Sequence, residues 1–140
     1  MQSLIDPSVR KIAIANPEHA PCGRAAVSAM EHFGLYEAAK NKLVLGENIS
    51  QAAQFVQSGA AQIGIIAFSI ALSDPMRATG KYWQIPLDAY PRMDQGGVVL
   101  KQARKAGHLD AARAFVDALQ APPGRTILER YGFSLPPPTR

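Results

Sequence analysis

Cysteine is nearly absent. Cys22 is the single cysteine in 140 residues, so no internal disulfide can form and a disulfide-stapled scaffold is excluded. That usage fits the cytosol, and it equally fits a secreted protein that folds without bridges. Long apolar runs are lacking too. The longest, Ile63 to Leu72, is broken by Gly64 and Ser69 and falls short of the roughly 18 residues of a membrane span. Met1 to Pro7 has no basic start and no apolar stretch, so no export signal is expected within it. Aromatic residues are only 7% of the chain, and no stripe of Lys and Arg with aromatics between them occurs. Lys101, Arg104 and Lys105 make the one dense basic cluster within a net charge of +4, which reads as a solvated surface. No nucleic-acid partner is expected, although a mild positive field suits a small anion. The P-loop, G-x-G-x-x-G and G-x-S-x-G patterns are all missing, so no motif makes a positive case for an enzyme.

What is present describes a folded α/β chain. The 47% hydrophobic and 19% charged content is that of an ordinary globule. A compact chain of this length buries about 68–70% of its unfolded surface, enough for a core without staples. Lys11 to Ala15 alternates and predicts a strand, ended by Asn16-Pro17. Ala26, Val27, Met30 and Phe33 recur at helical spacing before a stop at Gly34, and Leu35 to Lys40 suits another helical turn. Lys42 to Gly46 reads as a second strand. Asn48 is a good N-cap for a helix whose face is Ile49, Ala52, Ala53 and Val56, ending at Gly59. Ala61 to Ala67 is nearly all apolar and predicts a third strand covered on both faces. The order is a βαβαβ unit with a parallel sheet and right-handed crossovers. Beyond it, short strands are expected at Tyr82 to Pro86 and Gly96 to Lys101. Helices follow at His108 to Gln120 and from Pro123 or Gly124 to Tyr131, then a polyproline tail from Leu135 to Pro138.

Ligands of open α/β sheets bind beyond the carboxyl ends of the strands. Two loops lie there, Asn16 to Gly23 and Gly46 to Ser50, and each leads into a helix with free N–H groups and a positive dipole end. Gly23 and Gly46 permit the close turns such an anion site needs. His19 and Cys22 also suggest a metal pair or a Cys–His nucleophile. Two ligands fall short of a structural zinc site, and neither an orienting base nor an oxyanion hole is visible. The preferred reading is a histidine capping its own turn and a small residue at a helix start, with a thiol made reactive by that position. Glu18, Glu47, Asp88 and Asp94 read as solvated or capping acids. Tyr82 and Trp83 are expected to pack on the sheet. Phe68 and Ser69 lie near the ligand edge, where Ser69 either donates to a ligand or caps the following turn.

Three segments carry a family resemblance. Asn16-Pro17-Glu18-His19-Ala20-Pro21-x-Gly23-Arg24-Ala25-Ala26 resembles the loop-to-helix segment of periplasmic molybdate-binding proteins of ABC transporters. So does Lys42-Leu43-Val44-Leu45-Gly46-Glu47-Asn48-Ile49-Ser50-Gln51-Ala52, followed by Gly64-Ile65-Ile66-Ala67. Gly124-Arg125-x-Ile127-Leu128-x-Arg130-Tyr131-Gly132-Phe133 is similar to the family's C-terminal end, and the match runs in order from about Ile5 to Leu135.

The resemblance implies a two-lobed type II periplasmic binding fold. In it molybdate or tungstate is held between the lobes by hydrogen bonds, with no cofactor and no side-chain metal coordination. Carried over, the backbone donors fall at Cys22 and Ile49, with Pro21, Gly23, Asn48, Ala67 and Ser69 nearby. Cys22 departs from the Ala or Tyr of some members, which a backbone contact tolerates. Ala67 stands where some members supply a Tyr hydroxyl. The resemblance further implies that most of the first lobe lies outside this sequence. Residues 1–85 then correspond to the second lobe, 86–101 to a crossover and hinge strand, and 102–140 to C-terminal helices and tail that normally pack on the first lobe. Those helices would need another cover, such as a homo-oligomer or swapped dimer. The implied partners are a small oxyanion and a membrane permease, and the implied location is the periplasm. A ligand-sensing domain of a regulator and a small enzyme using His19 and Cys22 are the alternatives. The first would need a helix-turn-helix, which the sequence does not show.

Overall fold

The computed structural model describes residues 1–136, so part of the expected polyproline tail lies outside the described residues. The chain divides into two compact units, Met1–Met93 and Asp94–Arg140. The boundary falls inside the segment 86–101.

The first unit is built around strand β1, Ile12–Ala15, all four residues of which are fully buried. Alternation along the strand sends its large and small side chains to opposite faces. Ile12 and Ile14 join Leu4, Val9, Ala26, Met30 and Ala39 in one cluster, and Ala13 joins Ala52 and Ala61 in the other. Helix α1, Pro21–His32, covers the isoleucine face with Ala26 and Met30. It starts with a proline at its first turn, where a missing N–H costs nothing. It stops at Gly34, whose φ of 68° lets Leu35 N–H reach back to Met30 O at 2.8 Å. Helix α2, Tyr36–Ala39, supplies the extra turn expected after it.

Strand β2, Leu43–Gly46, runs parallel to β1, pairing Ala15 with Gly46 at the carboxyl end. Helix α3, Ile49–Gln57, lies on the alanine face through Ala52. Asn48 caps it as expected: its side-chain oxygen accepts from Gln51 N–H at 3.0 Å. Asn48→Ala is expected to lower stability by about 1 kcal/mol. A urea titration followed by far-UV circular dichroism measures this.

The third strand differs from expectation. β3 is only Ile63–Gly64, with one more ladder bond from Ile65 N–H to Ala13 O, and 63–67 is half-buried rather than covered on both faces. The order β2-β1-β3 explains this. β3 is an edge strand, with no further neighbour among the described residues to extend its pairing or cover its outer side. The chain then enters two single-turn helices, α4 at Phe68–Ala71 and α5 at Asp74–Arg77. The strand expected at Tyr82 to Pro86 does not form: these residues join no ladder among the described residues. Tyr82 and Trp83 do not pack on the sheet: both are more than half exposed, meeting the rings of Phe68 and Phe33 edge-on.

The second unit holds helices α6, Lys101–Lys105, α7, Leu109–Gln120, and α8, Pro122–Arg130. The strand expected at Gly96 to Lys101 does not form. An extended segment is a strand only when its N–H and C=O groups pair, and no partner occurs among the described residues. α8 turns back tightly on α7. A Cβ on Gly124 would stand 2.1 Å from Ala118 O. No described residue of this unit is buried, and Phe115 and Ile127 stay more than half exposed.

Candidate functional site

The parallel register of β1 and β2 brings the loops that follow them to one edge of the sheet. Their backbones join directly: Asn16 N–H donates to Gly46 O at 2.7 Å. The first loop folds on itself, with Asn16 Oδ1 accepting from Glu18 N–H at 3.0 Å and Asn16 O from Ala20 N–H at 2.9 Å. It is held tight against the strand end. A Cβ at Gly23 would stand 2.1 Å from Ala15 O and 2.8 Å from Pro17 N.

The donors of each helix start can be counted. In α1, Pro21 has no N–H, and Gly23 and Arg24 both donate to Ala20 O. The N–H of Cys22 is left without a partner among the described residues. In α3, Gln51 N–H is capped by Asn48 Oδ1 and Ala52 N–H donates to Asn48 O. That leaves the N–H groups of Asn48, Ile49 and Ser50 unpaired among the described residues. Each helix start therefore offers unpaired donors at the positive end of its dipole, an arrangement that accepts an anion without a neutralising side chain.

Pro21 and Asn48 are exposed, Gly23 is buried, and Cys22, Ile49, Ala67 and Ser69 are half-buried. Ala67 is the N-cap of α4 and Ser69 lies within that helix. The Ser69 hydroxyl caps no turn among the described residues; Ser73, whose hydroxyl donates to Ile70 O at 2.7 Å, closes that turn.

His19 does not cap its own turn, nor does it pair with Cys22. Its Nε2 lies 3.1 Å from Glu47 O and 3.5 Å from the Glu47 carboxylate, in the other loop. A carbonyl only accepts, so Nε2 carries the proton in this contact. Among the described residues no group of three or more His, Cys, Asp or Glu is placed to hold a metal ion. The contribution of His19 to the loop pairing has no signal in the sequence. Local spacing says nothing of which loop lies beside which; that follows from β1 and β2 being neighbours.

The parallel sheet thus carries, at the carboxyl ends of β1 and β2, two helix starts with amides unpaired among the described residues. A sequence profile of the family described as bacterial extracellular solute-binding protein matches residues 1–134, and the chain belongs to that family. It is 39% identical over 126 residues to the molybdate-binding protein ModA of Azotobacter vinelandii, covering 90% of this chain and 49% of ModA. It is 34% identical over 131 residues to ModA of Rhodobacter capsulatus, covering 94% and 50% respectively. The solved structure of the Azotobacter vinelandii periplasmic molybdate-binding protein superposes with a TM-score of 0.80 at 30% identity, covering 95% of this chain and 57% of that one. The chain spans about half the length of the curated relatives it matches.

Proposed function

We propose that this chain is the second-lobe portion of the solute-binding component of an ABC importer for molybdate or tungstate. The observation that carries the reading is the pair of unpaired N–H groups, Cys22 and Ile49, at the ends of neighbouring parallel strands, in a chain akin to proteins named as molybdate-binding. The oxyanion takes hydrogen bonds from these amides, with Pro21, Gly23 and Asn48 shaping the backbone around them and Ala67 and Ser69 close by. It works as a binding protein and not an enzyme, in the periplasm, delivering its ligand to a membrane permease. Residues 1–85 correspond to the ligand-binding lobe, 86–101 to the crossover and hinge strand, and 102–140 to the C-terminal helices and tail that a first lobe would cover. The exposure of Phe115 and Ile127 supports such a cover, supplied by the longer protein or by a second copy.

Titration calorimetry with molybdate, tungstate, sulfate and phosphate tests this. The chain alone is expected to bind molybdate weakly, and the chain joined to the N-terminal half its relatives carry is expected to bind tightly. Each hydrogen bond to a charged ligand contributes roughly 1.5–3 kcal/mol, so the absent donors account for the difference. Tight binding by neither form rejects the reading.

A further inference from the structure

We infer that His19 is a positioning residue of the oxyanion site, one that orients the Glu47–Asn48 peptide across the gap between the two loops. This rests on the functional reading above and deepens it.

The second loop is held peptide by peptide. The Gly46–Glu47 peptide is held at both edges: Asn16 N–H donates to Gly46 O at 2.7 Å, and Glu47 N–H donates to Gln51 Oε1 at 2.6 Å. The Asn48–Ile49 peptide is held by the helix, because Ala52 N–H donates to Asn48 O. Between them, the Glu47–Asn48 peptide has one hold among the described residues, the bond from His19 Nε2 to Glu47 O at 3.1 Å. A trans peptide points its C=O and N–H to opposite sides. Fixing Glu47 O toward His19 therefore turns the Asn48 N–H away from His19 and keeps it unpaired, next in sequence to the free Ile49 N–H. Without the histidine this peptide is free to rotate, and the donor loses its fixed direction.

Glu47 is the acid of this loop, and a carboxylate near an oxyanion repels it. The Glu47 carboxylate lies 3.5 Å from His19 Nε2. Both side chains are about half exposed or more, at 51% and 79%, so neither is a core support of the fold.

The test is an amide-resolved NMR titration of the 140-residue chain with sodium molybdate, together with thermal unfolding of each variant. In the wild-type chain the amide signals of Cys22, Asn48 and Ile49 are expected to move together and saturate. His19→Ala is expected to raise the dissociation constant about five-fold and to speed exchange of the Asn48 amide, with the melting temperature nearly unchanged. His19→Gln keeps an N–H donor on a side chain of similar reach and is expected to restore affinity to within about two-fold of wild type. Glu47→Ala keeps the carbonyl that accepts the bond and is expected to bind no more weakly than wild type. If neither the 140-residue chain nor the chain joined to the N-terminal half of its relatives responds to molybdate, the reading of the site fails and this inference with it; if only the joined form responds, the variants are compared in that form. If wild type binds and His19→Ala binds equally well, the inference alone is overturned. It is also overturned if His19→Gln fails to rescue, or if Glu47→Ala is as damaging as His19→Ala.

Discussion

Gly23→Ala is expected to destabilise the chain by about 3 kcal/mol and to weaken oxyanion binding as well. The added Cβ would stand 2.1 Å from Ala15 O, 2.8 Å from Ala15 C and 2.8 Å from Pro17 N. All three obstacles are backbone. Two belong to the last residue of β1, whose four residues are fully buried at the centre of the sheet, so the strand cannot yield. The other is a proline fixed by its own ring. Helix α1 must therefore retreat, and Ala26 and Met30 leave their contact with Ile12 and Ile14 as it does. The same retreat carries the Cys22 N–H away from the edge of the sheet, which couples stability to binding. Urea unfolding monitored by far-UV circular dichroism gives the first effect, and molybdate titration of the variant under native conditions gives the second. An unchanged unfolding midpoint would show that the start of α1 is not seated as described.

Ile49→Pro separates the donor from the fold. Position 49 is the first residue of α3, where proline is favoured because its ring presets the helical φ. Asn48 before it is extended, at φ −149° and ψ 175°, a conformation that a following proline accepts. The cap survives, since neither Gln51 N–H to Asn48 Oδ1 nor Ala52 N–H to Asn48 O involves the Ile49 amide. What the substitution removes is the Ile49 N–H, together with a half-buried aliphatic side chain. Loss of one hydrogen bond to an anion corresponds to about 1.5–3 kcal/mol, or roughly 10- to 100-fold in affinity. Molybdate affinity is expected to fall by that factor while helix content is retained. Ile49→Val, which keeps the N–H and shortens the side chain, serves as the control and is expected to bind like wild type. Equal affinity for Ile49→Pro and Ile49→Val would remove Ile49 from the site.

The elements that the sequence made legible are those whose signals are local. Asn48 caps α3 and Gly34 ends α1 because caps and left-handed stops depend on a few consecutive residues. Ile12 to Ala15 formed a strand because its apolar residues serve two faces at once. Expectations failed where the outcome depends on a distant partner. Ala61 to Ala67 shrank to a two-residue strand because it sits at a sheet edge, and Gly96 to Lys101 formed none because no described residue pairs with it. Tyr82 and Trp83 found rings at Phe68 and Phe33 rather than the sheet.

The candidate site divides along the same line. That Cys22 and Ile49 stand at helix starts after strands follows from their own neighbourhoods: Pro21 opens one helix and Asn48 caps the other. That the two starts share an edge, that Ala15 pairs with Gly46, and that His19 reaches Glu47 were decided by the tertiary structure. A hydrogen bond between loops 28 residues apart has no local signature. It exists because β1 and β2 lie side by side and parallel, which places the residues that follow each strand opposite one another.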